Sequence, residues 1–119
     1  MFFYIVDPDP VVRLDLADTI RSRYGESETV MDAAVGPLPP AATGRDVIMV
    51  INGSLVTDAL AEMLGQGPFA RTRRIFVGAP ATARLEGIAV DVPFTQEMVL
   101  HALAETVAQL SSGEGHETS

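Results

Sequence analysis

Phe2-Phe3-Tyr4-Ile5-Val6-Asp7-Pro8-Asp9-Pro10-Val11-Val12-Arg13 begins with an unbroken apolar run and passes through two carboxylates into a helix signal. An apolar run without polar alternation is what a strand buried on both faces requires. Pro10 suits the first turn of a helix, where its missing N–H is no loss, and Asp9 stands where it can cap that turn. Val11, Leu14, Ala17, Ile20 and Tyr24 then recur at helical spacing, and Gly25 stops the helix.

The same alternation continues outward. Thr29-Val30-Met31 reads as a short second strand. Ala33-Ala34-Val35-Gly36-Pro37-Leu38-Pro39-Pro40 holds too many prolines for an ordinary helix, so this crossover is predicted to be extended or irregular. Val47-Ile48-Met49-Val50-Ile51 is the second strongly apolar run and the expected central strand, broken by Asn52-Gly53-Ser54. Val56 to Leu64 supplies a short helix ending at Gly65, Ile75-Phe76-Val77 a fourth strand, and Ile88-Ala89-Val90 a weaker fifth. Thr95 to Leu110 is the clearest helix, with Met98, Val99, Ala102, Leu103, Val107 and Leu110 on its apolar side. Strands alternating with crossovers give a parallel α/β sheet, in which ligands bind beyond the carboxyl ends of the strands. Neither a repeat nor a linker divides the chain. A single domain is expected over residues 1–111, followed by a disordered polar tail over 112–119.

At 119 residues the chain fits one domain able to bury about 65% of its unfolded surface. Hydrophobic residues make up 47% of it and mean hydropathy is +0.23, outside the regime of disordered chains. A net charge of −8, from 16 acidic against 8 basic residues, argues against nucleic acid or an anionic membrane as partner. Arg71, Arg73 and Arg74 form too small a cluster to track a phosphate backbone and read as a solvated loop. The absence of cysteine removes disulfides, thiolate chemistry and cysteine metal sites. No apolar run approaches the ~20 residues of a membrane span. The start lacks the basic segment of a signal peptide, so a soluble cytoplasmic protein is expected.

Four segments carry a family resemblance: Asp7-x-Asp9-Pro10-x-Val12-Arg13, Asp46-Val47-Ile48-Met49-Val50-Ile51, Phe76-Val77-Gly78-Ala79 and Val92-Pro93-Phe94-Thr95. In their order and their placement at strand ends, residues 2 to about 110 resemble the receiver domain of response regulators, the CheY-like family. The resemblance implies a flavodoxin-like, doubly wound, five-stranded parallel sheet in the order 2-1-3-4-5, here with shortened second and fourth crossovers. It also implies a cis bond between Val92 and Pro93.

Receivers phosphorylate an aspartate at the end of the third strand. A carboxylate-held Mg²⁺ and a lysine offset the phosphoryl charge, and a hydroxyl residue binds the product. Such chemistry is positioning plus electrostatics, so each charged group matters. Matched position by position, Asp7 keeps the first acidic place and Pro8 replaces the second. Ile51 takes the phosphoacceptor place in the ungapped match, and Asn52 takes it after a one-residue shift. Gly78 stands for the hydroxyl, Val92 for the lysine before Pro93, and Ala89 for the aromatic switch. Loss of one electrostatic donor alone costs ~10²–10³ in rate, and loss of the nucleophile removes the phosphorylated state.

The resemblance therefore implies a stand-alone pseudo-receiver: not an enzyme, independent of phosphorylation, without cofactor, acting in signal transduction or scaffolding through a protein partner or a homodimer. Asp7 and Asp9 are the only candidates for holding a cation, and their plainer role is helix capping and strand-end structure. Two alternatives stay open: a receiver with residual phosphoacceptor or Mg²⁺ activity, and a flavodoxin-like module binding a small ligand. Against the last, Asp7-Pro8-Asp9 offers no glycine-rich phosphate loop. His101 has no catalytic companion in sequence, Asp58 and Glu62 form a solvated i, i+4 pair, and Asn52 before Gly53 is a turn former.

Overall fold

The computed structural model describes residues 1–25, 28–82 and 84–118; the side chains of residue 68 and residues 111–118 lie outside that description. Five strands, β1 (Phe2–Val6), β2 (Glu28–Asp32), β3 (Val47–Asn52), β4 (Arg73–Val77) and β5 (Ile88–Val90), pair in parallel in the order β2-β1-β3-β4-β5. Three α-helices, α1 (Pro10–Tyr24), α2 (Asp58–Leu64) and α3 (Gln96–Thr118), complete an α/β architecture of flavodoxin-like type. The strand order and the shortened second and fourth crossovers are those expected.

Period-two alternation divides the sheet into two cores. Phe3 and Ile5 of β1, Ile48 and Val50 of β3, and Ile75 and Val77 of β4 pack against Leu16, Ala17 and Ile20 of α1 and Val99, Ala102 and Leu103 of α3. The other face, with Phe2, Tyr4, Val6, Met49, Ile51 and Phe76, receives only Leu64 from the short α2 as a fully buried helical side chain. Irregular chain covers the remainder: Val35 and Leu38 of the proline-rich stretch, Ala42 in a 3₁₀ turn over Pro40–Ala42, Val56, and Phe69 in a second 3₁₀ turn over Gly67–Arg71.

The buried stripe of α1 differs from the predicted one. Val11 and Leu14 are 71% and 55% exposed, whereas Leu16 and Ala17 turn inward. The helix carries two overlapping apolar stripes that share Ala17, Ile20 and Tyr24. Docking chooses between them: the Tyr24 ring lies 5.5 Å from Phe3, and the rest of the inner face fits between β1 and α3. The ends of α1 follow sequence rules, with the Asp9 carboxylate accepting from Val11 N at 2.9 Å and Gly25 closing the helix at φ +64°. Helix α3 runs to Thr118, through the segment expected as a tail. Side chains beyond Leu110, and Ser119 altogether, lie outside the described residues.

The proline-rich crossover is fastened by one buried hydroxyl. Tyr4, with no exposed surface, donates to Asp32 Oδ2 at 2.6 Å and accepts from Gly36 N at 2.8 Å. Burial first, then the Asp32 carboxylate, push the Tyr4 phenol up to about 12 from its usual 10. A raised phenol pKa means that the native state keeps a proton the unfolded chain has released, so stability is complete below pH 10 and declines towards pH 12. Urea unfolding followed from pH 9 to about 12 should show this decline, and Tyr4→Phe should remove that component of it. The same variant, by leaving Gly36 N and Asp32 without their partner, should lower unfolding free energy at neutral pH by about 1–3 kcal/mol.

Candidate strand-end site

The carboxyl ends of β1, β3, β4 and β5 bring together most of the residues singled out in the sequence. The register Val6↔Ile51 sets Asp7 beside Asn52, one step beyond the last β1–β3 pair. Asp7 is 2% exposed, and its two carboxylate oxygens accept from Asp9 N at 2.9 Å and from Asn52 Nδ2 at 3.1 Å. The amide oxygen of Asn52 accepts in turn from Ser54 N at 2.9 Å and Ser54 Oγ at 2.7 Å. Arg13 Nη1 donates to the Asp7 carbonyl at 2.7 Å, and Asp7 N donates to the Asp32 carbonyl at 3.1 Å. The strand end is thus a chain of hydrogen bonds, Asp9–Asp7–Asn52–Ser54, in which the Asp7–Asn52 bond ties the loop after β1 to the loop after β3.

Of the two positions considered for a phosphoacceptor, Asn52 meets Asp7 and Ile51 does not. Ile51 is wholly buried on the face that holds Met49 and Val6. Alternation is the reason: adjacent residues of a strand point to opposite faces, so Ile51 and Asn52 cannot share one surroundings. Pro8 and the backbone-capping Asp9 are exposed on the loop above.

Beside this network the loops after β3 and β4 touch. A Cβ added at Gly53 would lie 2.1 Å from Gly78 O, so only glycine permits this approach. Gly78 itself, at φ +88°, donates from N to Val90 O at 2.7 Å. On its open side a Cβ would meet Val92 Cγ1 at 3.7 Å. Val92 is 61% exposed and joined to Pro93 by a cis bond, as the resemblance implied. Apolar Val92 and the glycine-to-glycine contact therefore occupy the flank of the Asp7–Asn52 pair.

The arrangement offers a buried carboxylate and a carboxamide, both engaged, and apolar surface beside them. Among the described residues no group of three or more histidine, aspartate or glutamate side chains gathers that could hold a metal ion, and no helix is long and apolar enough to cross a membrane. His101 stands apart on α3, 77% exposed and 3.8 Å from Glu105 Oε1, while Asp58, Glu62 and Ala89 are exposed. Ser54 was missed in the sequence reading. Its signal was the tripeptide Asn52-Gly53-Ser54, in which an asparagine oxygen caps the backbone two residues on.

Replacing Asn52 by alanine removes one donor to a buried carboxylate and should lower unfolding free energy by about 1–3 kcal/mol, measured by urea titration. Gly53→Ala should be at least as damaging, about 1–3 kcal/mol or more, because backbone rather than a flexible side chain blocks the new methyl. No family model matches the chain, and neither the curated proteins nor the solved structures contain a match to it.

Proposed function

We propose that this chain is a receiver-like binding module that operates without phosphorylation, acting through contacts with a protein partner or a second copy of itself. The observation that carries the reading is the closed Asp9–Asp7–Asn52–Ser54 network: the strand-end group that pairs with Asp7 is a carboxamide. Gly78 and Val92 beside it bring neither hydroxyl nor cation. Receiver-type phosphoryl transfer demands a carboxylate at the third-strand end and a lysine beside it; Asn52 and Val92 hold the matched positions, and Arg13 is engaged by the Asp7 carbonyl.

Support for protein contact comes from the far edge of the sheet. β5 pairs on one side only, with β4. Among the described residues the β4–β5 crossover carries no helix over it. A groove of about 430 Å³ lies between β5 and α3, its lining made of Ile88, Ala89, Val90, Met98 and Ala102 together with the polar Asp91, Glu97 and His101. An unpaired strand edge beside an apolar groove suits an added strand whose side chains enter the groove.

Amide NMR spectra recorded with beryllofluoride and Mg²⁺, or with acetyl phosphate and Mg²⁺, should show no shifts at Asp7, Asn52 or their neighbours. A Mg²⁺-dependent shift centred there would instead support residual receiver chemistry. Sedimentation at micromolar concentration tests self-association, and Ala89→Arg on the exposed edge should weaken any dimer that uses β5 without unfolding the chain. A dimer insensitive to that change would place the interface elsewhere.

A further inference from the structure

The opposite end of the sheet holds the cluster Arg71, Arg73 and Arg74, which by sequence pattern alone is a solvated loop. β4 outruns its neighbour there. Pairing with β5 covers Ile75, Phe76 and Val77, so the β5-facing edge at Arg73 and Arg74 has no ladder. A groove of about 830 Å³ opens along it, lined by all three arginines together with Asp46, Glu86 and Gln109. Gly87 is also in its lining, packed so closely that a Cβ would meet Arg74 O at 2.7 Å and the Phe76 ring at 2.6 Å.

The charge placement is unusual for this chain. All eight basic residues are arginines, against a net charge of −8, and three of them are among the residues that line one groove. Arg71 and Arg73 are exposed, and none of the three forms an ion pair within the described residues. Arg74 is held differently. Its Nη2 donates to Leu64 O at 2.9 Å and Phe69 O at 3.0 Å, while its buried Nε has no acceptor among the described residues. Burial lowers the Arg74 pKa from its ordinary value and Glu86 opposes that shift, yet a guanidinium stays charged throughout the accessible pH range. Two carbonyls orient this cation without neutralising it. By strand alternation Arg73 and Arg74 leave β4 on opposite faces, with the groove along the edge between them.

We propose that this groove binds a phosphate-bearing small molecule, with Arg71 and Arg73 donating to phosphate oxygens and Arg74 forming the positive opposite wall. Planar guanidinium forks match phosphate oxygens in geometry as well as charge, which a diffuse attraction to solvent ions does not require. Positive groups on both sides of the strand edge favour a diphosphate over a single phosphate. Asp46 and Glu86 on the same groove accept hydrogen bonds, so they suit hydroxyls on the remainder of the ligand and oppose a long polyanion such as nucleic acid. This site lies at the amino ends of the strands, away from Asp7, and does not depend on the function proposed above.

Amide NMR titration of the full chain with pyrophosphate, inorganic phosphate and ADP, against sodium sulfate at equal ionic strength, tests it. Saturable shifts confined to residues 71–74, 86–88 and 106–110 are expected, with a pyrophosphate Kd below about 1 mM and weaker phosphate binding. Arg71→Ala and Arg73→Ala, both at exposed positions, should each weaken pyrophosphate about tenfold with little change in Tm. Tighter ADP binding would identify a nucleotide ligand, and equal or weaker ADP binding an inorganic diphosphate; both keep the site. Shifts that fail to saturate, that sulfate reproduces at the same concentrations, or that survive unchanged in the Arg71→Ala, Arg73→Ala double variant would overturn the proposal.

Discussion

Because water reaches neither face of β1, every other element of this protein is committed to covering it or its neighbours. Phe2 to Val6 are 0–1% exposed, and the strand is paired on both sides, by β2 and β3. One face is covered in the ordinary way, by two helices that interlock over Phe3 and Ile5. The other face has to be covered with far less helix. A seven-residue α2, 3₁₀ turns over Pro40–Ala42, Gly53–Leu55 and Gly67–Arg71, and a proline-rich strap supply the apolar groups. Irregular chain carries unpaired backbone polar groups with it, and a buried loop is tolerated only where those are satisfied. Tyr4 answers this directly: its ring fills the core while its hydroxyl takes up Gly36 N and Asp32.

That economy of cover shapes the two ends of the sheet. At the carboxyl end, the loops after β3 and β4 come together at Gly53 and Gly78, and the polar side chains between them bond to each other. A buried carboxylate needs donors; Asp7 finds them in a backbone amide and in Asn52. At the amino end, β4 starts two residues, Arg73 and Arg74, before its pairing with β5, leaving a charged edge groove rather than closed packing. One end is satisfied internally; at the other, Arg71, Arg73 and Arg74 share the groove with Asp46 and Glu86, and among the described residues none of the three is in a salt bridge.

Much of the strand-end site was legible because it rests on local rules. The Asp9 cap, the Asn52 turn and the glycine stops each involve partners within a few residues, so residue type and spacing were sufficient. The link between Asp7 and Asn52 was not legible, since it joins residues 45 apart through strand register. The same holds for the choice between Ile51 and Asn52, which a one-residue shift in matching leaves open and the pleat resolves.

By itself the sequence determined the alternation of strands and crossovers, the fully apolar first and third strands, the loss of a regular helix at the prolines and the capping of α1. Those are consequences of local dihedral limits and of burial patterns readable within a few residues. Tertiary structure alone decided which stripe of α1 turned inward, what covered the second face, and where Arg71, Arg73 and Arg74 came to stand. The physical reason is common to all three: each outcome is a contact between segments distant in the chain. Pairing register and close packing set such contacts, and neither is written in any one segment.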